Sequence, residues 1–238
     1  MHFLRICDPH RVPFLESSIV QIERGAAADE VVADVSERDA IIEAAFSCLS
    51  EPHTGAVPVA AVLARAGLST RAFYRHFESK DALFLAMMRG EGDSLARRLD
   101  RIAENFDGSP TDQLRVWLGQ IFGLLQDARL SMHMTVLDSD EVRAAKGYRA
   151  AREQWHDDRE RSLASILRRG LDDGSFPMAK PEQDAIAIGA VVTHSMSRLC
   201  SDGECEVAQA EVVDFALRAV GARITCAESG DGEPPHPE

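Results

Sequence analysis

Apolar residues recur at helical spacing from residue 36 onward, and no segment shows the convincing alternation of a β-strand. The first strongly periodic segment is SERDAIIEAAFSCLSE, which predicts a helix with Ser36 as its N-cap. Residues 1–35 are mixed and contain a Gly-Ala-rich stretch, so we predict a poorly structured arm there. The acidic, proline-containing residues 227–238 predict a disordered tail. The pattern as a whole predicts an all-α fold.

Two short helices are expected after the first one. The segment PVAAVLARAG opens with Pro58, which suits the start of a helix, and its apolar residues share one face. Gly67 is expected to end this helix, and Ser69 is expected to cap the next. Two short helices joined by a glycine-containing turn, with a third helix packed behind them, are typical of a helix-turn-helix.

The second short helix combines aromatic and cationic residues. Phe73 and Phe77 lie one turn apart and are expected to point inward. Arg71 and Arg75 project on the opposite side, where arginine can bind guanine edges in the major groove of DNA. The predicted DNA-binding residues are Ser69, Thr70, Arg71, Tyr74, Arg75, His76 and Lys80. A solvated helix face without a partner is the alternative interpretation.

The segment AGLSTRAFYRHFESKDAL, with the helices before it, resembles the N-terminal domain of TetR-type (tetracycline-repressor-like) transcriptional regulators. The residues that fall on the family pattern in register are Val62, Ala66, Gly67, Leu68, Ser69, Tyr74, Phe77 and Lys80. The resemblance covers about residues 36–85 and implies a helix-turn-helix DNA-binding domain there. It also implies that a linker helix from about residue 80 leads into a ligand-binding and dimerisation domain, residues 90–226.

Long helical segments fill the remainder of the chain. We predict helices over KDALFLAMMRGEGDSLARRLDRIAEN and TDQLRVWLGQIFGLLQDARL, and one uninterrupted helix over EVRAAKGYRAAREQWHDDRERSLASILRRGLDDG. The last two segments, PEQDAIAIGAVVTHSMSRLCSD and EVAQAEVVDFALRAVGARI, are rich in small and aliphatic residues that a second copy of the chain is expected to cover. The resemblance likewise implies a homodimer through the last two helices. A near-palindromic double-stranded operator DNA is expected to mirror this symmetry.

Large side chains between residues 113 and 200 are candidates to line a ligand cavity, because Met and aromatic residues form adaptable apolar pockets. The candidates are Trp117, Phe122, Met132, Met134, Trp155 and His194, with His133 as a further polar candidate. We expect few charges there, so we predict a small apolar effector. Ordinary core packing remains the alternative for each candidate.

The net charge of −13 is unevenly distributed, since residues 36–90 carry six basic and six acidic residues. This balanced block holds the candidate DNA-binding helix, and the acidic remainder is expected to weaken non-specific DNA binding. No apolar run reaches the roughly 18 residues that span a bilayer, and the N-terminus lacks a signal-peptide pattern. We therefore expect a cytoplasmic protein with no membrane partner.

The sequence offers little redox, metal or catalytic chemistry. Five scattered cysteines form no disulfide framework, although Cys200 and Cys205 could form a redox switch, with a structural role as the alternative. The histidines lack metal-ligand spacing, and the glycines form neither a phosphate loop nor a dinucleotide-binding motif. We find no convergent nucleophile and base, so we predict no metal, no cofactor and no enzymatic activity.

These observations favour a homodimeric DNA-binding transcriptional regulator. The expected mechanism is that of a repressor, which a small apolar ligand releases from its operator. A transcriptional activator is one alternative. A helical ligand- or protein-binding module that does not use its helix-turn-helix on DNA is the other.

Overall fold

In a computed structural model, the chain is built from α-helices in the part that the structure describes, residues 26–202 and 205–222. The helices are α1 (Ala26–Ser50), α2 (Val59–Ala66), α3 (Thr70–His76), α4 (Lys80–Asn105), α5 (Pro110–Gln126), α6 (Ala128–Leu137), α7 (Asp140–Arg143), α8 (Tyr148–Asp172), α9 (Pro181–Asp202) and α10 (Cys205–Ala219). The described residues contain no strand. The predicted all-α fold is therefore confirmed.

Local sequence signals place α2 and α3 against α1. Gly67 ends α2 in the left-handed conformation with φ of 69°, which glycine adopts without steric cost. The Ser69 hydroxyl then caps α3 by accepting a hydrogen bond from the Ala72 N–H at 3.2 Å. Phe73 and Phe77 are buried between these helices. The resulting unit has the helix-turn-helix arrangement that the sequence predicts.

The start of α1 differs from the prediction. The helix begins at Ala26, ten residues before Ser36, so Ser36 is not its N-cap. Asp29, Glu30 and the aliphatic residues around them continue the helix upstream of the strongly periodic segment. The predicted boundary of the arm at residue 35 therefore falls inside α1. Residues 1–25 and the predicted tail, residues 227–238, lie outside the described residues.

The segment 141–174 forms two helices rather than the predicted single one. α7 ends at Arg143, and α8 begins at Tyr148 after a turn. Gly147 in this turn has a φ of 96°, and a Cβ there would lie 3.0 Å from the Leu85 side chain of α4. The glycine therefore allows both the reversal of the chain and its close approach to α4.

Two clusters of buried side chains hold the helices together. One cluster joins α1, α2, α3 and the first turns of α4 to Val136 and Leu137 of α6, Val142 of α7 and Ala145 beyond it. The other surrounds Trp117 and involves α4, α5, α8, α9 and α10. The core beneath the helix-turn-helix is therefore completed by residues from α6 and α7.

Candidate DNA-binding surface and ligand cavity

The outer face of α3 is a candidate DNA-binding surface. Thr70, Arg71, Tyr74 and Arg75 are exposed, and the large aromatic side chain of Tyr74 is 66% accessible to solvent. Ser69 is also exposed, although its hydroxyl is engaged as the cap of α3. Arg75 forms an ion pair with Glu37 of α1 at 3.0 Å and still presents half of its side chain to solvent. The surface therefore combines cations with a phenolic hydroxyl on one short helix.

Two predicted DNA-binding residues are engaged elsewhere. The side chain of His76 is only 4% exposed and lies 3.4 Å from Glu37, so it is not on the exposed face of α3 where a DNA-binding residue is expected. Lys80 is half-buried at the start of α4, where its ammonium group donates hydrogen bonds to the Val57 carbonyl and the Glu141 carboxylate. Both side chains therefore have strong local partners within the protein.

A cavity of about 570 Å³ lies among α4, α5, α6, α8 and α9. Its apolar wall comprises Leu95, Leu124, Leu125, Leu130, Met134, Trp155 and Met196. Its charged wall comprises Glu91, Arg98, Asp138, Asp140, Arg152, Asp158 and Arg159. The volume suits a drug-sized molecule. This wall carries several charged side chains, whereas the sequence analysis expects few charges around a ligand.

The predicted cavity residues divide into two groups. Met134 and Trp155 line the cavity. Trp117 and Phe122 are fully buried in the core around α5, and the Trp117 indole N–H donates to the Ser162 hydroxyl at 3.1 Å. Met132 packs against the cluster beneath the helix-turn-helix. His194 is exposed and is not among the lining residues, so its predicted role in the cavity is wrong.

The sequence analysis missed Arg98 and Arg159, which line the cavity. Arg98 lies three residues after Leu95 on α4, and Arg159 lies four residues after Trp155 on α8. These spacings place each arginine on the same helical face as an apolar lining residue. The sequence signal for a cationic cavity wall was therefore an arginine three or four residues after an apolar residue of the same helix.

Most carboxylates of the cavity wall have partners. Glu91 Oε1 lies 2.7 Å from Nδ1 of the buried His133. Asp138 accepts a hydrogen bond from the Tyr148 hydroxyl at 3.4 Å. Asp158 pairs with Arg161 at 2.9 Å. These partners occupy hydrogen-bonding positions of three wall carboxylates, and Arg161 also neutralises the charge of Asp158.

The cationic part of the wall has fewer partners. Arg159 Nη2 donates to His156 Nδ1 at 2.7 Å, which requires the neutral imidazole to carry its proton on Nε2. Burial and the nearby Arg152 lower the pKa of Arg159 to about 10. Burial, and then Arg159 and Arg152, lower the pKa of His156 below its usual 6.5. His156 is therefore neutral at neutral pH, whereas Arg159 keeps its charge.

Trp155 lies directly against the backbone of α4. A Cβ at Gly92 would come within 1.8 Å of Trp155 Nε1, a distance that no side chain tolerates. Three buried polar atoms of cavity-lining residues have no hydrogen-bond partner: Arg98 Nε, Ser139 Oγ and Trp155 Nε1. Unpaired buried polar atoms are uncommon in folded proteins. They mark this wall as a place where a bound group can supply hydrogen bonds.

Glu141 of α7 connects the cavity region to the helix-turn-helix. Its two carboxylate oxygens lie 3.1 and 3.2 Å from the Val57 N–H, which precedes α2. The same carboxylate pairs with Lys80 and lies 3.7 Å from His53. Asp138, Ser139 and Asp140, which directly precede Glu141, line the cavity. A four-residue helix thus contacts both regions.

His133 of α6 forms a second connection. Its ring stacks on Phe46 of α1 with centroids 3.7 Å apart and planes inclined by 6°. Ser131 and Met134, on either side of it in the same helix, line the cavity. α6 therefore contacts α1 through His133 and the cavity through its neighbours.

Other kinds of site find no support in the part of the chain that the structure describes. There, no group of three or more His, Cys, Asp or Glu side chains is placed to hold a metal ion. Among the described helices, none combines the length and apolarity required to cross a membrane. Cys205 is a free thiol near the Phe122 carbonyl, and the side chain of Cys200 lies outside the described residues.

The chain matches known proteins in its helix-turn-helix and in its fold. Residues 41–87 match the tetR family of bacterial regulatory proteins. No curated protein sequence matches the chain significantly.

Several solved structures share the fold. SmeT of Stenotrophomonas maltophilia, in complex with triclosan, is 22% identical with a TM-score of 0.69, and the match covers 85% of this chain and all of SmeT. FadR of Bacillus subtilis, in complex with stearoyl-CoA, is 15% identical with a TM-score of 0.63, covering 76% of this chain and 98% of FadR. NalD of Pseudomonas aeruginosa is 18% identical with a TM-score of 0.60, covering 78% and 97%. Residues 41–87 therefore match the tetR family of bacterial regulatory proteins, and the chain as a whole shares the fold of these solved structures.

Proposed function

We propose that the protein is a homodimeric repressor that binds operator DNA through α3 and leaves it when a small molecule occupies the cavity. The observation that carries this proposal is the continuity of α4. This single helix starts at Lys80, shortly after α3 ends at His76, and contributes Glu91, Leu95 and Arg98 to the cavity wall. A ligand that shifts α4 therefore has a direct route to the orientation of α3.

The DNA-binding role rests on the exposed side chains of α3. Arg71 can donate two hydrogen bonds to a guanine edge, and Tyr74 can bind a phosphate with its hydroxyl. Thr70 and Arg75 extend the same surface. We propose that the DNA-binding domain comprises residues 36–85 together with the preceding turns of α1, and that residues 90–226 form the ligand-binding and dimerisation domain. A protein with this role acts in the cytoplasm, where bacterial DNA lies.

We propose that α9 and α10 form the dimer interface. Ile186 of α9 and Val207 and Phe215 of α10 are large apolar side chains that are exposed in the single chain. Their burial in a symmetric four-helix contact would remove them from water. Two α3 helices held by one rigid interface would then bind two half-sites of a near-palindromic operator.

Release requires that the ligand prefers the conformation that cannot bind DNA. Two contacts of the structure offer routes besides α4. A ligand against Ser139 would displace α7 and the Glu141 carboxylate that holds the Val57 N–H. A ligand against Met134 would displace α6 and thereby the stacked ring of His133. Each route ends in the helix-turn-helix unit.

Proteins of similar fold support a small-molecule effector. SmeT is the repressor of a multidrug efflux pump and is known in complex with triclosan, and FadR is known in complex with stearoyl-CoA. The apolar leucines and methionines of the present cavity suit the apolar part of such molecules. We therefore propose a small effector that is apolar over much of its surface.

The decisive experiment selects operators from a random pool of duplex DNA with the purified full-length chain. We expect enrichment of a near-palindromic sequence by the wild type and a loss of enrichment with Arg71→Ala. Gel shifts with the selected DNA then report release by triclosan, stearoyl-CoA and a library of small apolar molecules. A pool that stays random with the wild type would contradict the DNA-binding role and favour a binding module of another kind. Selected DNA that activates a reporter gene in cells would favour an activator.

A further inference from the structure

We propose that the cavity binds an organic carboxylate, whose acidic group lies at Arg98 and Arg159 and whose apolar body lies against the leucines and methionines of the wall. This inference rests on the proposed ligand-binding role of the cavity and names the chemical class of the effector. It adds an anionic group to the small apolar effector that the sequence predicts.

The cations and the carboxylates of the cavity wall are unequally paired. Glu91 and Asp158 are held by His133 and Arg161, and Asp138 accepts from Tyr148 with Arg152 at 4.0 Å. Asp140 is exposed to solvent. Within the described ranges, no carboxylate oxygen lies within 4.0 Å of Arg98 or Arg159. In the described part of the chain, the two guanidinium groups are therefore the cations of the wall without a carboxylate oxygen within 4.0 Å, and Glu160 attracts Arg159 only from a longer distance.

The cationic part of the cavity wall has hydrogen-bond donors without acceptors. Arg98 Nε and Trp155 Nε1 are buried without a partner. Arg159 uses Nη2 on His156, and this contact leaves the His156 Nε2–H as a further donor at the wall. Guanidinium and indole groups donate but cannot accept. A bound group that complements them has to be an acceptor, and a carboxylate offers two oxygens in the geometry of a guanidinium fork.

The cavity combines cationic side chains with apolar surface. Arg98 follows Leu95 on α4, and Arg159 follows Trp155 on α8, so each cation lies beside an apolar surface. Leu124 and Leu130, from α5 and α6, add to the apolar wall. At about 570 Å³, the cavity has room for a body of several carbon atoms beyond the acidic group. A small inorganic anion would leave most of this apolar surface uncovered.

The test compares 6-phenylhexanoate with 6-phenylhexanamide, which match in size and differ in charge. Titration calorimetry with the full-length protein, in the absence of DNA, gives both affinities. We expect the carboxylate to bind at least about tenfold more tightly, because hydrogen bonds to charged groups are the stronger kind. Equal affinities, or no binding of either compound, would overturn the proposal.

Variants locate the acidic group. Arg98→Met and Arg159→Met should each reduce the affinity for 6-phenylhexanoate by about tenfold and leave that for the amide unchanged. The affinity should fall less in Arg98→Lys, because lysine keeps the positive charge but lacks the paired N–H donors of the guanidinium group. Arg97→Met is the matched control, since Arg97 is exposed on the same helix and outside the cavity lining. An equal loss in Arg97→Met would overturn the assignment, and thermal unfolding of each variant excludes loss of fold as the cause.

Gel shifts on the selected operator separate this inference from the proposed function. Release by the carboxylate in the wild type, and its loss in Arg98→Met, supports both. Equal release by the acid and the amide would contradict the carboxylate site and would still support the repressor mechanism. Tight binding of the acid through the two arginines, without any release, supports the site and contradicts the release mechanism.

Discussion

Glu141 and Lys80 form an ion pair that joins α7 to the first turn of α4, and both groups also bind the backbone of Val57. The carboxylate accepts from the Val57 N–H, and the ammonium group donates to the Val57 carbonyl. The residue before Pro58 is therefore held on both sides by one ion pair. This arrangement fixes the start of α2 relative to the segment that lines the cavity.

Glu141→Gln should destabilise the protein, because a neutral amide cannot pair with Lys80 and offers one acceptor oxygen instead of two. We expect the free energy of unfolding to fall by about 1–3 kcal/mol, the range for a hydrogen-bonded charge that is partly shielded from water. Urea unfolding monitored by circular dichroism measures the change. Glu153→Gln is the matched control, because Glu153 pairs with Arg149 on the surface of α8 and should lose no more than about 0.5 kcal/mol. Similar losses of unfolding free energy in both variants would show that the Glu141–Lys80 ion pair contributes no more than a surface pair.

Arg71→Ala and Tyr74→Phe should weaken operator binding by different routes. Loss of an arginine that contacts a base should cost about 1–3 kcal/mol and relax the preference at one position of each half-site. Loss of a phosphate contact at Tyr74 should weaken binding evenly across operator variants. Competition gel shifts distinguish the two patterns. Arg115→Ala, at an exposed position of α5 outside the matched residues 41–87, should leave affinity unchanged. Full affinity in Arg71→Ala and Tyr74→Phe as well would disprove the role of α3.

His133→Ala should lower the free energy of unfolding of the protein. The substitution removes the ring that stacks on Phe46, creates a cavity beneath α1 and leaves Glu91 without its partner. We expect a loss of about 2–4 kcal/mol in the free energy of unfolding. His194→Ala, at an exposed position of α9, should change it by less than about 0.5 kcal/mol. Thermal and urea unfolding of the pair give the comparison, and equal stabilities would contradict the proposed contribution of the stacked histidine.

His156 should make stability depend on pH below about 6.5, its ordinary pKa. Burial, Arg159 and Arg152 lower its pKa in the folded protein, so the unfolded chain binds the proton more readily. Its contribution to stability is therefore complete above pH 6.5 and is lost as the pH falls toward the lowered pKa. NMR titration of the imidazole should give a pKa below 6.5 that rises in Arg159→Met. In His156→Gln, this part of the pH dependence of urea unfolding should vanish; its persistence would assign it to other groups.

Local signals made the helix-turn-helix predictable. Gly67, Ser69 and the aromatic pair Phe73 and Phe77 act within one or two turns of chain, and their effects follow from capping and helical spacing. Helical spacing alone did not predict the burial of His76, because its partner Glu37 lies 39 residues away in sequence. Distant partners cannot be deduced from periodicity.

The cavity was less predictable for a related reason. Trp117 and Trp155 are equivalent by residue type, yet one is core and the other lines the cavity. The packing of α8 against α4 and α9 decides this difference, and no local pattern encodes it. Arg98 and Arg159 were overlooked because a charged residue is ordinarily assigned to the solvent.

The contact between Gly92 and Trp155 determines part of the shape of the cavity. A methyl group at position 92 would meet the indole nitrogen at 1.8 Å, so the ring of Trp155 would have to swing away from α4. Because Trp155 forms part of the cavity wall, that movement reshapes the space open to an effector. A single nucleotide change at the Gly92 codon would thus change which molecules fit the cavity, without a substitution at any other lining residue.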